Sequence, residues 1–294
     1  MEMDNSVGNL KYFSKHFIPA TSCNLCGSTK RTEWAVSDPV IAYTCDNCGL
    51  VYHDPQMTRE GRDAFYASGY FELQNNPADA LARDKMYEVE IAYLEKYVQG
   101  GKILDVGCGG GFLLNKFGPS WEKHGIEFDH TSAEHARSVL KLDVKDGEVN
   151  EATYPDGFFD VIVMRGVIEH MAEPKKMVEH MLPWLKQGGL LYITSTPNIE
   201  SLCAELYREK WKLFTADHQI HFAKRTIEAL GKELGMELLD SAYFYLETPY
   251  ANEIEDCRKI IKDAELIATG KRDEVGSSPA FYGNMLSMIL KKNR

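Results

Sequence analysis

No stretch constrains this chain more than Lys102-Ile103-Leu104-Asp105-Val106-Gly107-Cys108-Gly109-Gly110-Gly111-Phe112. An apolar run suited to a strand ends in an acid, turns through four glycines and enters a segment suited to a helix. Without Cβ atoms, the backbone at such a bend comes close to a ligand and adopts φ values closed to other residues. The helix start adds unpaired N–H groups and partial positive charge, which favour a carboxylate or phosphate. A Gly-x-Gly-x-x-Gly nicotinamide fingerprint requires glycine at position 112, where Phe112 stands. Asp105 would also face and repel a pyrophosphate, whereas it can pair with the ammonium of an amino-acid ligand.

From Lys102 onward, apolar runs alternate with helical stretches, as in a parallel sheet wrapped by helices. The pattern predicts strands at 103–106, 124–127, 142–144, 161–164 and 190–194, with helices near 112–121, 132–140, 174–185 and 224–234. Two more strands, at 237–245 and 285–290, enclose a Lys- and Glu-rich polar segment at 252–275. The fold class expected is α/β.

Asp105-x-Gly107-x-Gly109-x-Gly111 resembles the first motif of class I S-adenosylmethionine-dependent methyltransferases. Glu127 closes His124-Gly125-Ile126-Glu127 about 20 residues beyond the loop, where a carboxylate accepts both ribose hydroxyls. The similarity continues through Phe158–Met164, Val167–Met171 and the turn Leu185–Leu191, and covers residues 100–245. It implies a Rossmann-like seven-stranded methyltransferase sheet with helices on both faces and S-adenosyl-L-methionine as cofactor. The implied cofactor residues are Asp105, Gly107, Gly109, Gly111 and Glu127, with Glu148 in the adenine-contacting stretch 146–148. Arg165 either touches the methionyl carboxylate or is a solvated loop charge. Asp160 reads as a strand-end or capping residue, and Glu169 as a helix cap.

Upstream, Cys23-Asn24-Leu25-Cys26-Gly27 and Cys45-Asp46-Asn47-Cys48-Gly49 repeat Cys-x-x-Cys-Gly across 18 intervening residues. This spacing suits a tetrahedral zinc ribbon, in which each glycine lets backbone N–H groups turn toward thiolates. Four thiolates close the coordination sphere, so Cys23, Cys26, Cys45 and Cys48 predict a structural Zn2+ site, not a catalytic one. The β-branched and aromatic runs 32–36 and 40–44 read as the two strands that carry the knuckles. Cys108, Cys203 and Cys257 have no partner at ligand spacing and read as plain thiols. The domains expected are a zinc-ribbon module at 1–57, a helical connector at 58–99 and the methyltransferase domain at 100–294.

With 44% hydrophobic and 26% charged residues, the 294-residue chain has the composition of an ordinary globular protein. The formal net charge of -11 disfavours phosphate backbones and anionic membranes, so nucleic acid is not an expected partner. No run approaches a membrane span and the start lacks the order of a secretory signal, so a cytoplasmic location with reduced cysteines is expected.

Methyl transfer aligns acceptor and methyl at about 3–3.5 Å and removes the acceptor's proton where needed, so a histidine base is expected. The candidates are His170 and His218, the latter within Asp217-His218-Gln219-Ile220-His221-Phe222. His218 also reads as a loop histidine bonded to backbone, and His170 as a shelf beside the cofactor. Trp211, His218 and Phe222 together resemble the acceptor-facing segment, residues 200–225, of zinc-containing sugar C-methyltransferases. That resemblance implies a small-molecule acceptor, a sugar or nucleotide-sugar, with Asp217-His218 in the place of a Glu-His base pair. Thr215 and His221 stand where that family has tyrosines, and its large C-terminal domain has no counterpart, which leaves oxygen and nitrogen acceptors open beside carbon. An aromatic or quinone-like acceptor and a non-catalytic scaffold are the competing readings. Tyr66 and Tyr70 read either as a lid over the cofactor or as packing between the ribbon and the sheet.

Overall fold

The computed structural model describes residues 15–66 and 77–293 of the chain, and Tyr70 lies outside the described residues. Strand β1 (Phe17–Ile18) is followed by β2 (Arg31–Ser37), β3 (Val40–Cys45), β4 (Val51–Asp54) and β5 (Gln56–Met57). Two connector helices follow, α1 (Arg59–Tyr66) and α2 (Pro77–Leu94). The α/β part then runs β6 (Gly101–Val106), α3 (Phe112–Lys116), β7 (Trp121–Glu127), α4 (His130–Ser138), β8 (Asp143–Asp146), β9 (Phe159–Arg165), α5 (Pro174–Met181) and β10 (Leu185–Pro197). It finishes with α6 (Leu202–Tyr207), β11 (Ile220–His221), α7 (Lys224–Glu233), β12 (Met236–Ala242), α8 (Glu253–Ala268) and β13 (Met285–Lys292).

The expected Rossmann-like sheet is present, with seven strands in the order β12-β13-β10-β9-β6-β7-β8. Its centre is parallel, and β13 runs antiparallel to both β10 and β12. Parallel strands covered on both faces must be apolar on both, and Val161, Ile162, Val163 and Met164 are all buried. Successive residues alternate between two cores: Leu104, Ile162 and Leu191 face one layer, and Ile103, Val161 and Leu190 the other. The chain leaves β6 toward β7, while β9 pairs on the opposite side of β6. A crevice opens at the carboxyl ends of strands where strand order reverses in this way.

Several sequence-based boundaries need correction. The helix expected at 112–121 stops at Lys116, because Gly118 and Pro119 break it and Trp121 already begins β7. The helix expected at 174–185 ends at Met181, Pro183 sits in a short 3-10 turn, and Leu185 opens β10. The polar segment 252–275 contains α8, whose buried Asp263 accepts a hydrogen bond from Tyr207 Oη at 2.8 Å.

The cysteine-bearing strands form a second sheet, in the order β11-β4-β3-β2. Its fourth strand comes from the far end of the chain, with Ile220 opposite Tyr52 and His221 opposite Val51. Cys23, Cys45, Leu50 and Tyr52 share one apolar cluster with Ile220, Phe222 and Leu191. The cysteine-bearing sheet therefore packs into the core of the large sheet.

Candidate functional site

A cavity of about 790 Å³ lies at the carboxyl ends of β6, β7 and β9, within the range of roughly 300–1,000 Å³ usual for small-molecule sites. Asp105, the penultimate residue of β6, lines it and is 2% exposed, and its Oδ1 has no hydrogen-bond partner. Burial pushes the Asp105 carboxyl up to about 8, opposed by Arg165 and reinforced by Glu127 and Glu90. A buried carboxylate oxygen without a donor is costly unless a ligand supplies one.

The glycine bend curls over this acid. Gly107, Gly109 and Gly111 have φ of 69°, 53° and 83°, the left-handed region that side chains rarely adopt. At Gly107 a Cβ would approach Val167 Cγ2 to 2.8 Å, whereas Gly109, on the cavity wall, has no atom within 4 Å of that position. Glu127, at the end of β7, accepts from the N–H groups of Gly109 and Asp129, each at 2.7 Å, and so ties the bend to the neighbouring strand. Burial raises the Glu127 carboxyl to about 7 in spite of these bonds.

The other expected cofactor residues also reach the cavity. Arg165 ends β9 and donates from Nε to Glu90 Oε2 at 2.6 Å, with its guanidinium 4.7 Å from the centre of the Tyr87 ring. Glu90, on α2, is 1% exposed and also accepts from the Ser195 hydroxyl. Arg165 is thus a paired charge, and its partner Glu90 went unnoticed in the sequence. Glu148 follows β8 and is held by Arg62 and Arg59 of α1, the latter at 3.6 Å. Asp160 stays at the opposite strand end, where it accepts from Lys102 N at 2.8 Å.

In the same cavity lining, His170 and His218 face each other with ring centroids 4.8 Å apart. His170 Nδ1 lies 3.0 Å from the Asp217 carbonyl, and His218 Nδ1 lies 2.8 Å from the Leu213 carbonyl. A carbonyl only accepts, so both Nδ1 atoms carry protons, and in a neutral ring the lone pair then sits on Nε2. Burial, aided by His218, pushes His170 down to about 4, so its ring is neutral near pH 7. Glu169, read from the sequence as a cap, is 1% exposed and lines the same wall, and burial raises it to about 7. Tyr66 stacks edge-on with Phe128 at 4.9 Å and stands 6.4 Å from His170.

Cys23, Cys26, Cys45 and Cys48 converge, with all four sulfurs within 4.8 Å of one another. Cys23 to Cys48 and Cys26 to Cys45 are each 3.5 Å apart, close to the roughly 3.8 Å edge of a tetrahedron with metal–sulfur bonds of about 2.3 Å. Gly27 and Gly49 take φ of 71° and 76° and donate to the carbonyls of Cys23 and Cys45. The set fits a tetrahedral thiophilic ion. Cys108 and Cys203 are buried elsewhere, and Cys257 is half-buried on α8.

A family model described as a methyltransferase domain matches residues 80–241, which span the cavity's β6, β7 and β9 walls. A protein of Mycolicibacterium smegmatis named a probable S-adenosylmethionine-dependent methyltransferase is 28% identical over 116 residues, covering 39% of this chain and 45% of the relative. A ubiquinone biosynthesis O-methyltransferase of Coxiella burnetii is 27% identical over 121 residues, covering 36% of this chain and 49% of the relative. The chain thus spans about half the length of these two curated relatives. Among solved structures, a SAM-dependent methyltransferase of Thermotoga maritima superposes with a TM-score of 0.55 at 15% identity, over 78% of this chain and 99% of that one, which is a likeness of fold. No helix among the described residues is long and apolar enough to cross a membrane. Sheet order, crevice and family match agree: the chain belongs to the methyltransferase-domain family and is an S-adenosylmethionine-dependent methyltransferase.

Proposed function

We propose that the chain methylates a small polar acceptor, a sugar, nucleotide-linked sugar or glycan precursor, and that a structural zinc ion sits in the Cys23, Cys26, Cys45 and Cys48 set. One arrangement carries the reading. An orphaned Asp105 oxygen and Glu127 line the same cavity as two imidazoles whose Nδ1 atoms are both bonded to backbone carbonyls.

When bound, the cofactor supplies a methyl carbon on a sulfonium; the C–S bond breaks with its electron pair left on sulfur, and the acceptor forms the new bond and releases its proton. Asp105 pairs with the cofactor's ammonium, and Glu127 accepts from the ribose hydroxyls while holding Gly109. Gly109 keeps a side chain out of the ligand's way, while Gly107 and Gly111, packed against Val167 and against Leu142 and Ala136, hold the bend in its left-handed conformation. Glu148 would contact the adenine, and Arg165, paired with Glu90, would meet the methionyl carboxylate. His218 and His170 promote loss of the acceptor's proton through their Nε2 atoms. Arg59 and Arg62 border the cavity but are paired with Glu148, so the polar acceptor class is supported by the resemblance of Trp211, His218 and Phe222 to the acceptor-facing segment of sugar methyltransferases.

The test is methyl transfer from labelled S-adenosylmethionine to a panel of nucleotide-sugars. His218→Ala should slow turnover about a hundredfold, the lower range for a positioned acid–base group, with binding of S-adenosylhomocysteine retained. Wild-type turnover in that variant would remove His218 from the reaction. A second reading, O-methylation of an aromatic or quinone-like compound, draws on Met171, Met177, Phe244 and Phe281 in the lining and on the name of the Coxiella burnetii relative. Turnover of a catechol in the same panel, with none of any sugar, would favour it. A non-catalytic scaffold gives no reason to keep Asp105 buried and unpaired.

A pH dependence follows. The Asp105 carboxyl, raised to about 8, is protonated below that pH and then offers the ammonium no charge. Affinity for S-adenosylhomocysteine should rise with pH between 6 and 8, by up to about tenfold per unit. Isothermal titration at three pH values reads the slope, and a flat profile would remove the Asp105–ammonium pair.

A further inference from the structure

We infer that Glu169, His170 and His218 form a second metal site, distinct from the cysteine set, which takes one divalent first-row cation with positions left open toward the acceptor. One ligating atom from each of the three residues lies within 4.8 Å of the other two. Both imidazoles are fixed as ligands usually are. Each Nδ1 proton is given to a backbone carbonyl, of Asp217 or of Leu213, which sets the tautomer and leaves Nε2 as the donor atom.

Glu169 is the second observation. Its carboxylate is 1% exposed, forms no Lys or Arg ion pair among the described residues, and is met by its own backbone N–H, a long 3.4 Å approach from the Thr196 hydroxyl and the nearby His218 ring. A buried carboxylate without a full cationic partner is disfavoured, and a bound cation compensates it. Two imidazoles and one carboxylate with open positions suit a divalent first-row metal, unlike the four thiolates of the ribbon, which leave none.

The inference rests on the methyl-transfer reading for its purpose. An acceptor hydroxyl bound to such a cation loses its proton to a solvent base at lower pH and attacks the methyl carbon as an alkoxide, so His170 and His218 act on the proton through the metal.

The experiment titrates Mn2+ into the zinc-loaded full chain, followed by electron paramagnetic resonance, with S-adenosylhomocysteine binding measured on the same samples. Wild type should bind one Mn2+ per chain. Glu169→Gln, which keeps the side chain's shape, and His218→Ala should each weaken Mn2+ binding at least tenfold and leave zinc content and S-adenosylhomocysteine affinity unchanged. Mn2+ that stays free at millimolar concentration, or binds equally well to both variants, overturns the site. A chain that binds S-adenosylhomocysteine but no Mn2+ refutes the metal and spares the methyl-transfer reading. Bound Mn2+ without S-adenosylhomocysteine binding supports the metal and refutes that reading.

Discussion

Glu127→Ala should weaken S-adenosylmethionine binding at least a hundredfold while the chain stays folded. Each hydrogen bond between a ribose hydroxyl and the carboxylate contributes about 1.5–3 kcal/mol, and tenfold in affinity is about 1.4 kcal/mol. The substitution also releases the Gly109 and Asp129 N–H groups, both now held at 2.7 Å, so the bend loses its tie to β7. Two losses of one sign make this the largest effect expected of any cofactor-side substitution. Isothermal titration with S-adenosylhomocysteine measures it, and circular dichroism checks the fold. An affinity within threefold of wild type would mean that Glu127 only shapes the loop.

Stripping metal from the ribbon should lower the melting temperature by roughly 10 °C and abolish methyl transfer. Structural zinc contributes about 10–16 kcal/mol to the folding of small zinc modules, and a loss of a third of that is enough for such a shift. The damage should not stay local, because Cys23 and Cys45 pack in one cluster with Ile220 and Phe222, and β11 is hydrogen-bonded to β4. Atomic absorption of a Glu169→Gln chain, in which the second metal set is broken, should find about one zinc per chain before chelation. A metal-free chain that melts at the wild-type temperature would contradict the zinc assignment.

The fold was legible from the sequence where the determinants are local. The apolar runs at 161–164 and 190–194 are continuous because both faces of those strands are covered, and the acid and glycines of the cofactor bend are consecutive. What stayed hidden depends on distant partners. Glu90 looks like any acid on a helix, and only the fold brings it to Arg165, 75 residues away. Glu169 was passed over as a cap because nothing nearby in sequence shows that it is buried. The two-residue strand Ile220–His221 is too short for any periodicity, and its partner lies in the ribbon. The overlong helix at 112–121 reflects Trp121, whose apolar character fits either element; its indole Nε1 donates to Glu95 at 3.1 Å.

That short shared strand also bears on how such a chain can be rebuilt. His53 and His221 meet Nε2 to Nε2 at 3.0 Å inside the join, and His53 N donates to the Gln219 carbonyl at 2.9 Å. A fragment cut after residue 57 would leave Ile220 and His221 as a raw sheet edge with apolar neighbours bared to water, an invitation to aggregate. In any chimera, the N-terminal module and the loop around His218 have to be exchanged as one cassette.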